Sequence, residues 1–282
     1  MDIRKINWYP GHMKKTKALI ESNLKLVDAV IEVVDSRIPV SSRNPIVDQM
    51  ISGKNRIIVL NKRDLSDESK TAEWIKKLTK ERQSAIAMDS NKGTGKKELM
   101  AALDNIQKEK NRKTDTTRPI RIMIVGVPNV GKSSLINRLT GRKSTQTGDR
   151  PGVTKGKQWL TLENKMQLLD TPGILWPKFE DPKAGMNLAF CGSIKDEILD
   201  VETLGFELIK LLKRDYPELL MDRYKLESLS EDDLENMEEI ARKRGFIMPG
   251  KRIDYTRCAN AILDEFRHAV IGRITLESAK KD

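Results

Sequence analysis

The sequence predicts an α/β fold with a doubly wound parallel sheet, followed by a small all-helical domain. Nearly continuous apolar runs at residues 29–34, 56–60 and 120–125 are typical of strands buried on both faces. Helix-like segments separate these runs, and after residue 178 apolar residues recur at helical spacing. We therefore expect one domain at 1–178, with a basic N-terminal arm at 1–17, and a helical domain at 179–282.

The third apolar run leads into residues 126–133, which read G-V-P-N-V-G-K-S and match the pattern G-x-x-x-x-G-K-S. In a strand, loop and helix arrangement such glycines let backbone N–H groups surround a phosphate, while the lysine adds positive charge and the serine binds magnesium. A chance glycine-rich turn is the alternative, but both flanking elements have the required type. The predicted phosphate-binding residues are Asn129, Val130, Gly131, Lys132, Ser133 and Ser134.

The second strand leads into N-K-R-D, residues 61–64. An aspartate at position 64 can accept hydrogen bonds from the ring N–H and exocyclic amine of guanine, which adenine does not present together. Asn61 can address the base edge, and the Lys62 stem can cover the ring face. Ser90 and Asn91 begin a further loop whose backbone N–H can contact the guanine carbonyl, although a plain turn is the alternative there.

Two segments after the phosphate loop are candidates for sensing the nucleotide state. Residues 143–156 contain few apolar side chains and can present Thr154 to magnesium, with Thr145 and Thr147 as competitors. A predicted hairpin at 159–169 delivers D-T-P-G, which places Asp170 near magnesium and the Gly173 N–H near a γ-phosphate. Residues 108–118, just before the third strand, are polar and charged, and we expect a linker there.

The chain has 282 residues, with 52 Lys plus Arg against 41 Asp plus Glu, a net charge of +11. Residues 1–178 contain 35 of the basic and 19 of the acidic side chains, so the excess positive charge belongs to the predicted nucleotide-binding part. A polyanionic partner explains this excess, and ordinary solubility is the alternative.

Other function classes are excluded by what the sequence lacks. No run approaches the roughly 18 apolar residues of a membrane span, and the N-terminus lacks the apolar core of a secretory signal. Two distant cysteines, Cys191 and Cys258, with two histidines form neither a disulfide framework nor a zinc pattern. We therefore expect a cytoplasmic protein whose cysteines serve in packing.

The two ends of the chain have open interpretations. W-Y-P-G-H-M at 8–13 lies within the basic arm, which can contact RNA, a membrane surface or the protein's own core. Near the other end, basic residues after a predicted helix can complement its dipole or bind RNA phosphates. These candidate RNA-binding residues are Arg242, Lys243, Arg244, Lys251, Arg252 and Arg257. A final helix at 255–270 is expected to pack in a core.

The order of the motifs is unusual, because N-K-x-D precedes the phosphate loop and D-x-x-G comes last. A nucleotide site is a spatial set, so a sheet covered by helices tolerates cutting the chain at one surface loop and joining it at another. The predicted fold is therefore a P-loop GTPase domain with circularly permuted motifs. Its γ-phosphate sensor leads almost directly into residues 179–282, to which we expect the nucleotide state to be communicated.

This order resembles the circularly permuted GTPases of the ribosome biogenesis GTPase A (YlqF) family, and the resemblance covers nearly the whole chain. The shared motifs are W-Y-P-G-H-M at 8–13, D-S-R-I-P at 35–39, T-G-D-R-P-G-V-T at 147–154 and L-L-D-T-P-G-I-L-W-P-K-F at 168–179. Tyr9 stands where the family more often has phenylalanine. The resemblance implies a cytoplasmic GTPase that binds immature large ribosomal subunits and ribosomal RNA late in assembly and is stimulated by the ribosome.

The resemblance also implies two roles at the reaction centre. Ile174 occupies the position of the water-orienting glutamine of Ras-like enzymes, and the family's W-[FY]-P-G-H-M histidine, here His12, is proposed to assist hydrolysis instead. Asn129 resembles the asparagine with which related GTPases hold potassium against the phosphates. From the residues alone, a lone histidine is more often structural, and a loop asparagine often bonds its own backbone.

We expect GTP hydrolysis that times binding to and release from a precursor large ribosomal subunit, with magnesium and potassium as cofactors, in a monomer without stable membrane association. The alternative is a signalling or membrane-peripheral switch that acts on a protein effector. A third hypothesis is an RNA-binding assembly factor in which the nucleotide is structural.

Overall fold

The structure is a computed structural model that describes residues 18, 20–51, 53–114, 117–141, 159–162, 164–169, 181–194, 196 and 199–280. Its main sheet contains β1 (Ala29–Asp35), β2 (Asn55–Asn61), β3 (Gln83–Ala87), β4 (Arg121–Val125), β5 (Trp159–Thr161) and β6 (Gln167–Leu169). The helices of this part are α1 (Pro45–Met50), α2 (Glu68–Leu78), α3 (Lys96–Thr114) and α4 (Lys132–Thr140).

The strand order is β3-β2-β1-β4-β6-β5, and all neighbouring pairs are parallel except β5 with β6. Every residue of β1 is buried, which agrees with its β-branched sequence and its central place. Alternate side chains face two sides: Ile31 and Val33 join the core shared with α3 and α4, whereas Val30 and Val34 pack on the opposite face. The predicted doubly wound α/β fold is confirmed.

The C-terminal part consists mainly of helices: α5 (Pro182–Phe190), α6 (Val201–Asp215), α7 (Pro217–Tyr224), α8 (Asp233–Arg244) and α9 (Tyr255–Arg267). A short hairpin of β7 (Ile247–Met248) and β8 (Arg252–Ile253) lies between the last two helices. Apolar side chains of these helices join the same core cluster as one face of the main sheet, including Phe190, Leu208 and Phe266. The proposed boundary at residue 178 lies outside the described residues.

Two features differ from the sequence-based expectations. The linker prediction for residues 108–118 is wrong up to Thr114, because α3 continues there as a polar, solvent-facing helix with a Lys113–Glu109 ion pair of 2.5 Å. Residues 271–280 are not helical and return to the main sheet domain.

Both cysteines are buried and unpaired by disulfides, as expected for packing residues. Burial raises the pKa of each thiol to about 12, so both are neutral at pH 7. Within the described residues, none of the helices combines the length and the apolar character needed to cross a bilayer.

Candidate nucleotide-binding site

Loops that follow β1, β2 and β4 meet at one edge of the sheet. In the parallel register Asp35 lies opposite Asn61, and β4 adjoins β1 on its other side. From β1 the chain adds β2 and then β3 on one side, whereas β4 lies on the other side of β1. The strand order therefore reverses between β1 and β4. Ligands of such sheets bind in the crevice at this reversal.

The Asn61 side chain joins the N-K-R-D segment to two other loops. Its Nδ2 donates to the Val130 carbonyl of the phosphate loop at 2.7 Å, and its Oδ1 accepts from the backbone N–H and the hydroxyl of Ser90 at 3.1 and 2.7 Å. The residue is 2 % exposed. The amide that was expected to address the base edge is therefore bonded to protein at both ends, and it fixes the N-K-R-D segment beside the phosphate loop.

The phosphate loop depends on two glycines in left-handed conformations. Gly126 has φ 155° and Gly131 has φ 95°. A Cβ at Gly126 would lie 2.4 Å from the Val33 carbonyl oxygen, and one at Gly131 would lie 2.2 Å from the Asn61 Nδ2. Each position therefore requires glycine for space as well as for conformation.

Helix α4 begins directly after the loop, at Lys132. Ser133 and Ser134 fall in its first turn, where backbone N–H groups and the helix dipole favour an anion. The Lys132 Nζ lies 2.6 Å from the Val127 carbonyl oxygen, so the ammonium is held over the loop itself. This end of α4 has the geometry and charge of a phosphate site.

The loop that contains Ser90 and Asn91 is ordered by two residues that the sequence reasoning missed. The Asp89 carboxylate accepts the N–H groups of Asn91 and Lys92 at 2.9 and 3.0 Å, which forms a tight turn. Arg138 on α4 donates through Nε to the Ser90 carbonyl at 3.1 Å and through Nη2 to that of Asn91. The sequence offers a signal for Asp89, because this aspartate directly follows an apolar strand. It offers none for Arg138, which acts from a distant helix.

A buried ion network lies behind Lys62. Its Nζ is 2.9 Å from the Asp35 Oδ2, and Arg37 forks onto both oxygens of the same carboxylate at 2.8 and 2.9 Å. Asp35 is 0 % and Arg37 1 % exposed. Burial alone would raise the pKa of Asp35, but the charges and hydrogen bonds of Arg37 and Lys62 lower this pKa well below its usual range. Lys62 is thus held by a carboxylate that is ionised at neutral pH.

Arg37 also reaches the C-terminal helices. Its Nη1 donates to the Arg267 carbonyl at 3.3 Å, and its guanidinium lies 5.4 Å from the centre of the Phe266 ring. Asn129 of the phosphate loop makes a second connection, because its Nδ2 donates to the Gly192 carbonyl at 3.0 Å. The nucleotide loops therefore contact the C-terminal part through hydrogen bonds on two sides.

The structure brings together most of the residues that the motifs predict for the nucleotide. Asp64 is half-buried in the loop that Asn61 fixes, and its backbone carbonyl accepts from the Arg273 Nε at 3.1 Å. The described members of the set are Asn61, Lys62, Asp64, Ser90, Asn91, Asn129, Val130, Gly131, Lys132, Ser133 and Ser134. His12, Thr154, Asp170 and Gly173 lie outside the described residues, as do the competing Thr145 and Thr147.

The six candidate RNA-binding residues are all exposed, and they lie around the end of α8, the β7–β8 hairpin and the start of α9. Gly245 ends α8 in a left-handed conformation, and its N–H bonds to the Ala241 and Arg242 carbonyls, as the C-cap interpretation predicts. The guanidinium of Arg257 lies 5.0 Å from the centre of the Phe246 ring, and Arg244 pairs with Glu265 at 2.9 Å.

Comparison with known proteins decides the family. A family model described as RsgA GTPase matches residues 14–180, and one described as 50S ribosome-binding GTPase matches residues 121–241. Ribosome biogenesis GTPase A of Bacillus cereus is 44 % identical over 98 % of this chain and 95 % of its own. This chain belongs to the ribosome biogenesis GTPase A family. Its predicted GTP hydrolase activity is thereby confirmed.

Further relatives agree with this assignment across the whole chain. Ribosome biogenesis GTPase A of Priestia megaterium is 44 % identical over 96 % of both chains. The crystal structure of GNP-bound YlqF from Thermotoga maritima matches with a TM-score of 0.67 and 29 % identity, covering 95 % of this chain and 100 % of the other. The resemblance inferred from the motifs is confirmed, and the signalling alternative is not favoured. GTPases generally use magnesium, which agrees with the predicted metal.

The buried network of the family's D-S-R-I-P segment leads to a stability prediction. Asp35→Asn should lower the free energy of unfolding at pH 7 by about 3 kcal/mol, because Arg37 would stay charged and buried without its carboxylate. Chemical denaturation measures this. Asp48→Asn is the matched control: that carboxylate also faces two arginines but is 49 % exposed, so we expect less than about 1 kcal/mol.

The sign of the pH dependence follows from the lowered pKa of Asp35. The ionised carboxylate stabilises the fold above about pH 4, the usual pKa of an unfolded aspartate, and this contribution is lost as the pH falls towards the lower pKa of the folded state. The stability gap between the wild type and Asp35→Asn should therefore shrink on acidification. A gap that is absent at pH 7, or constant down to acid pH, would contradict the network's role.

Proposed function

We propose that this GTPase binds precursor large ribosomal subunits and uses GTP binding and hydrolysis to time a late assembly step and its own release. The observation on which the proposal depends is the pair of Asn61 contacts, which join the N-K-R-D segment to the phosphate loop and to the Ser90 loop. These contacts support a single site built from separate chain segments for a purine and for its phosphates. The names of the curated relatives support ribosome biogenesis as the setting.

In this proposal each loop binds one part of the nucleotide. Asp64 accepts the two guanine donors, the Lys62 stem covers the ring while Asp35 fixes its ammonium, and the backbone of Ser90 and Asn91 faces the guanine carbonyl. The phosphates lie on the first turn of α4, with Lys132 as the charged partner. Val130, Gly131, Ser133, Ser134 and Gly173 contribute contacts around the β- and γ-phosphates.

We assign magnesium to Ser133, Thr154 and Asp170. Hydroxyl and carboxylate oxygens are ligands that suit magnesium, and Ser133 lies half-buried in the first turn of α4, beside Lys132. When bound, the metal neutralises charge on the β- and γ-phosphates. Asn129 is the proposed potassium ligand: its Nδ2 is bonded to Gly192, and an amide binds cations through its oxygen.

His12 is the proposed catalytic residue, since the position after D-T-P-G is an isoleucine that cannot orient water. The proposed RNA contact is the group of six basic residues near α8. Their exposure supports a role with phosphates, although the Arg242–Glu238 and Arg244–Glu265 pairs already neutralise part of the charge. We further propose a cytoplasmic monomer without stable membrane association.

Asp64→Asn tests the base assignment. We expect at least a tenfold weaker affinity for GTP, because a charge-assisted hydrogen bond contributes about 1.5–3 kcal/mol, and a new preference for xanthosine nucleotides, whose base offers a complementary acceptor. Titration calorimetry measures both affinities. Asp222→Asn, an exposed residue on α7, is the control. Unchanged GTP affinity in Asp64→Asn would remove the base-reading role.

His12→Ala tests the catalytic assignment. GTP binding should stay nearly normal while single-turnover hydrolysis on large subunits slows by about a hundredfold or more, as for loss of a positioned acid–base group. The chain's other histidine supplies the control: His268→Ala alters an exposed residue just after α9 that contacts Asp264 of that helix, and this variant should hydrolyse GTP like the wild type. A wild-type rate in His12→Ala would refute the role.

Cosedimentation with large ribosomal subunits tests the partner. The wild type should pellet with subunits in the presence of a GTP analogue and not with GDP, whereas pelleting with membranes or nucleotide-independent RNA binding would support the two other hypotheses.

A double variant tests the proposed RNA surface. Lys243→Ala with Arg252→Ala should weaken the complex with large subunits and lower the slope of log affinity against log salt by about two. The control, Lys76→Ala with Lys97→Ala, removes two exposed charges from α2 and α3. Equal effects of the two doubles would contradict the RNA surface.

A further inference from the structure

The last described residues form an extended segment that packs beside the base-reading loop. After α9 the chain turns at Gly272, whose φ is 148° and whose Cβ would lie 2.8 Å from the Leu219 Cδ1. Residues 272–280 then run without helix or strand along the main sheet domain. We call residues 272–280 the C-terminal strap and residues 61–67 the base loop.

Three consecutive strap residues bond to the base loop. The Arg273 Nε donates to the Asp64 carbonyl at 3.1 Å, and the Ile274 N–H donates to the Leu65 carbonyl at 3.2 Å. The Thr275 hydroxyl accepts the Asp67 N–H at 3.1 Å. These contacts involve backbone atoms of the base loop, so they act on the path of the chain from which the Asp64 carboxylate projects.

The strap is itself anchored on both sides. The Tyr216 hydroxyl donates to the Thr275 carbonyl at 2.8 Å and accepts its N–H at 3.0 Å, which ties the strap to the junction of α6 and α7. The Leu276 N–H donates to the Arg37 carbonyl at 2.8 Å, and the Trp74 Nε1 donates to the Glu277 carbonyl at 3.0 Å. Hydrogen bonds on both sides therefore hold the strap in place between the C-terminal helices and the base loop.

The Glu277 side chain adds a buried anchor. Glu277 is 9 % exposed, and its carboxylate accepts the N–H groups of Val40 and Ser41 at 2.5 and 3.0 Å and the Asn187 amide at 3.1 Å. A carboxylate surrounded by donors from two chain segments, 40–41 and 187, holds the strap in one register. Sliding of the strap along the base loop would leave these buried donors unpaired, which is unfavourable.

The base loop is thus held from two sides. On the inner side, Asn61 bonds to the phosphate loop and the Arg63 N–H donates to the Met88 carbonyl at 3.1 Å. On the outer side, the strap holds Asp64, Leu65 and Asp67. Recognition of two guanine donors by one carboxylate requires placement within about 0.5 Å, which a loop fixed on one side does not guarantee.

We infer that the C-terminal strap positions the Asp64 carboxylate, so that Arg273 and Thr275 act as positioning residues for guanine affinity and selectivity. This inference rests on the proposed base-reading role of Asp64. It assigns to the C-terminal part a function in nucleotide recognition, in addition to any contact with a partner. Because the strap follows α9 in the chain after residues 268–271, this role would connect the end of that helix to Asp64.

The experiment compares guanosine and inosine diphosphates on the full-length protein by titration calorimetry. Hypoxanthine keeps the ring N–H of guanine but lacks the exocyclic amine. The dissociation constant of the inosine nucleotide divided by that of the guanosine nucleotide, the selectivity ratio, therefore reports on the Asp64 carboxylate. Arg273→Ala alters a side chain that is 51 % exposed and should fold normally. We expect about three- to tenfold weaker binding of the guanosine nucleotide, a smaller loss for the inosine nucleotide, and hence a lower ratio.

Thr275→Val removes the acceptor for Asp67 without changing the side-chain volume greatly, and it should lower the ratio in the same way. Thr275→Ser keeps the hydroxyl and should restore wild-type selectivity. The matched control is Lys280→Ala, on the same strap, where the side chain is 82 % exposed and pairs with Glu73 at 3.7 Å, away from the base loop. It should bind both nucleotides like the wild type.

The outcomes of these titrations separate the positioning role from the base-reading role. If the wild type binds guanosine diphosphate tightly but Arg273→Ala and Thr275→Val keep its selectivity ratio, the strap does not position Asp64. An equal loss of both nucleotides in these variants would also overturn the inference, because it indicates a general structural effect. Failure of the wild type to prefer the guanosine nucleotide would overturn the base-reading proposal itself.

Discussion

The nucleotide site depends on the hydrogen bonds of one buried amide. The Asn61 side chain donates to the phosphate loop and accepts from the Ser90 loop, and these three segments are separated by tens of residues in the sequence. Loss of a buried amide's partners costs about 1–3 kcal/mol for each unpaired group, a large share of a domain's net stability. The loops therefore stay in register with each other, which a site that binds one nucleotide at two ends requires.

Circular permutation leaves this spatial set intact because the sheet, and not the chain order, places the loops. β1, β2 and β4 are adjacent and parallel, so their carboxyl ends present Asp35, Asn61 and Gly126 at one edge. The reordering instead changes which segment comes after the last motif. Helices α5 to α9 occupy that place in the chain, and their buried apolar side chains belong to the same core cluster as those of one face of the sheet.

The positions of the central strands and of the loops that follow them could be predicted from the sequence. Burial on both faces requires the β-branched runs seen in β1 and β2. The sequence was insufficient where a contact joins distant segments. Nothing local to Arg37 indicates that it meets Phe266, and Arg138 is an ordinary helix residue until it reaches the Ser90 carbonyl. The charged end of α3 was misinterpreted because polar composition also suits an exposed helix.

The contacts between the phosphate loop and the C-terminal helices explain how the two parts can act together. Asn129 bonds to the Gly192 carbonyl. Just before Gly192, the Ala189 and Phe190 carbonyls accept hydrogen bonds from Arg267 at 2.9 and 3.0 Å. The carbonyl of Arg267 in turn accepts from Arg37, whose carboxylate partner also holds Lys62. The loop after β1 is thus bonded to Arg267 itself, and the phosphate loop is bonded to a segment that Arg267 contacts. Because the carboxylate that pairs with Arg37 also holds Lys62, a displacement of the end of α9 would act on the base loop through Arg37 and Asp35.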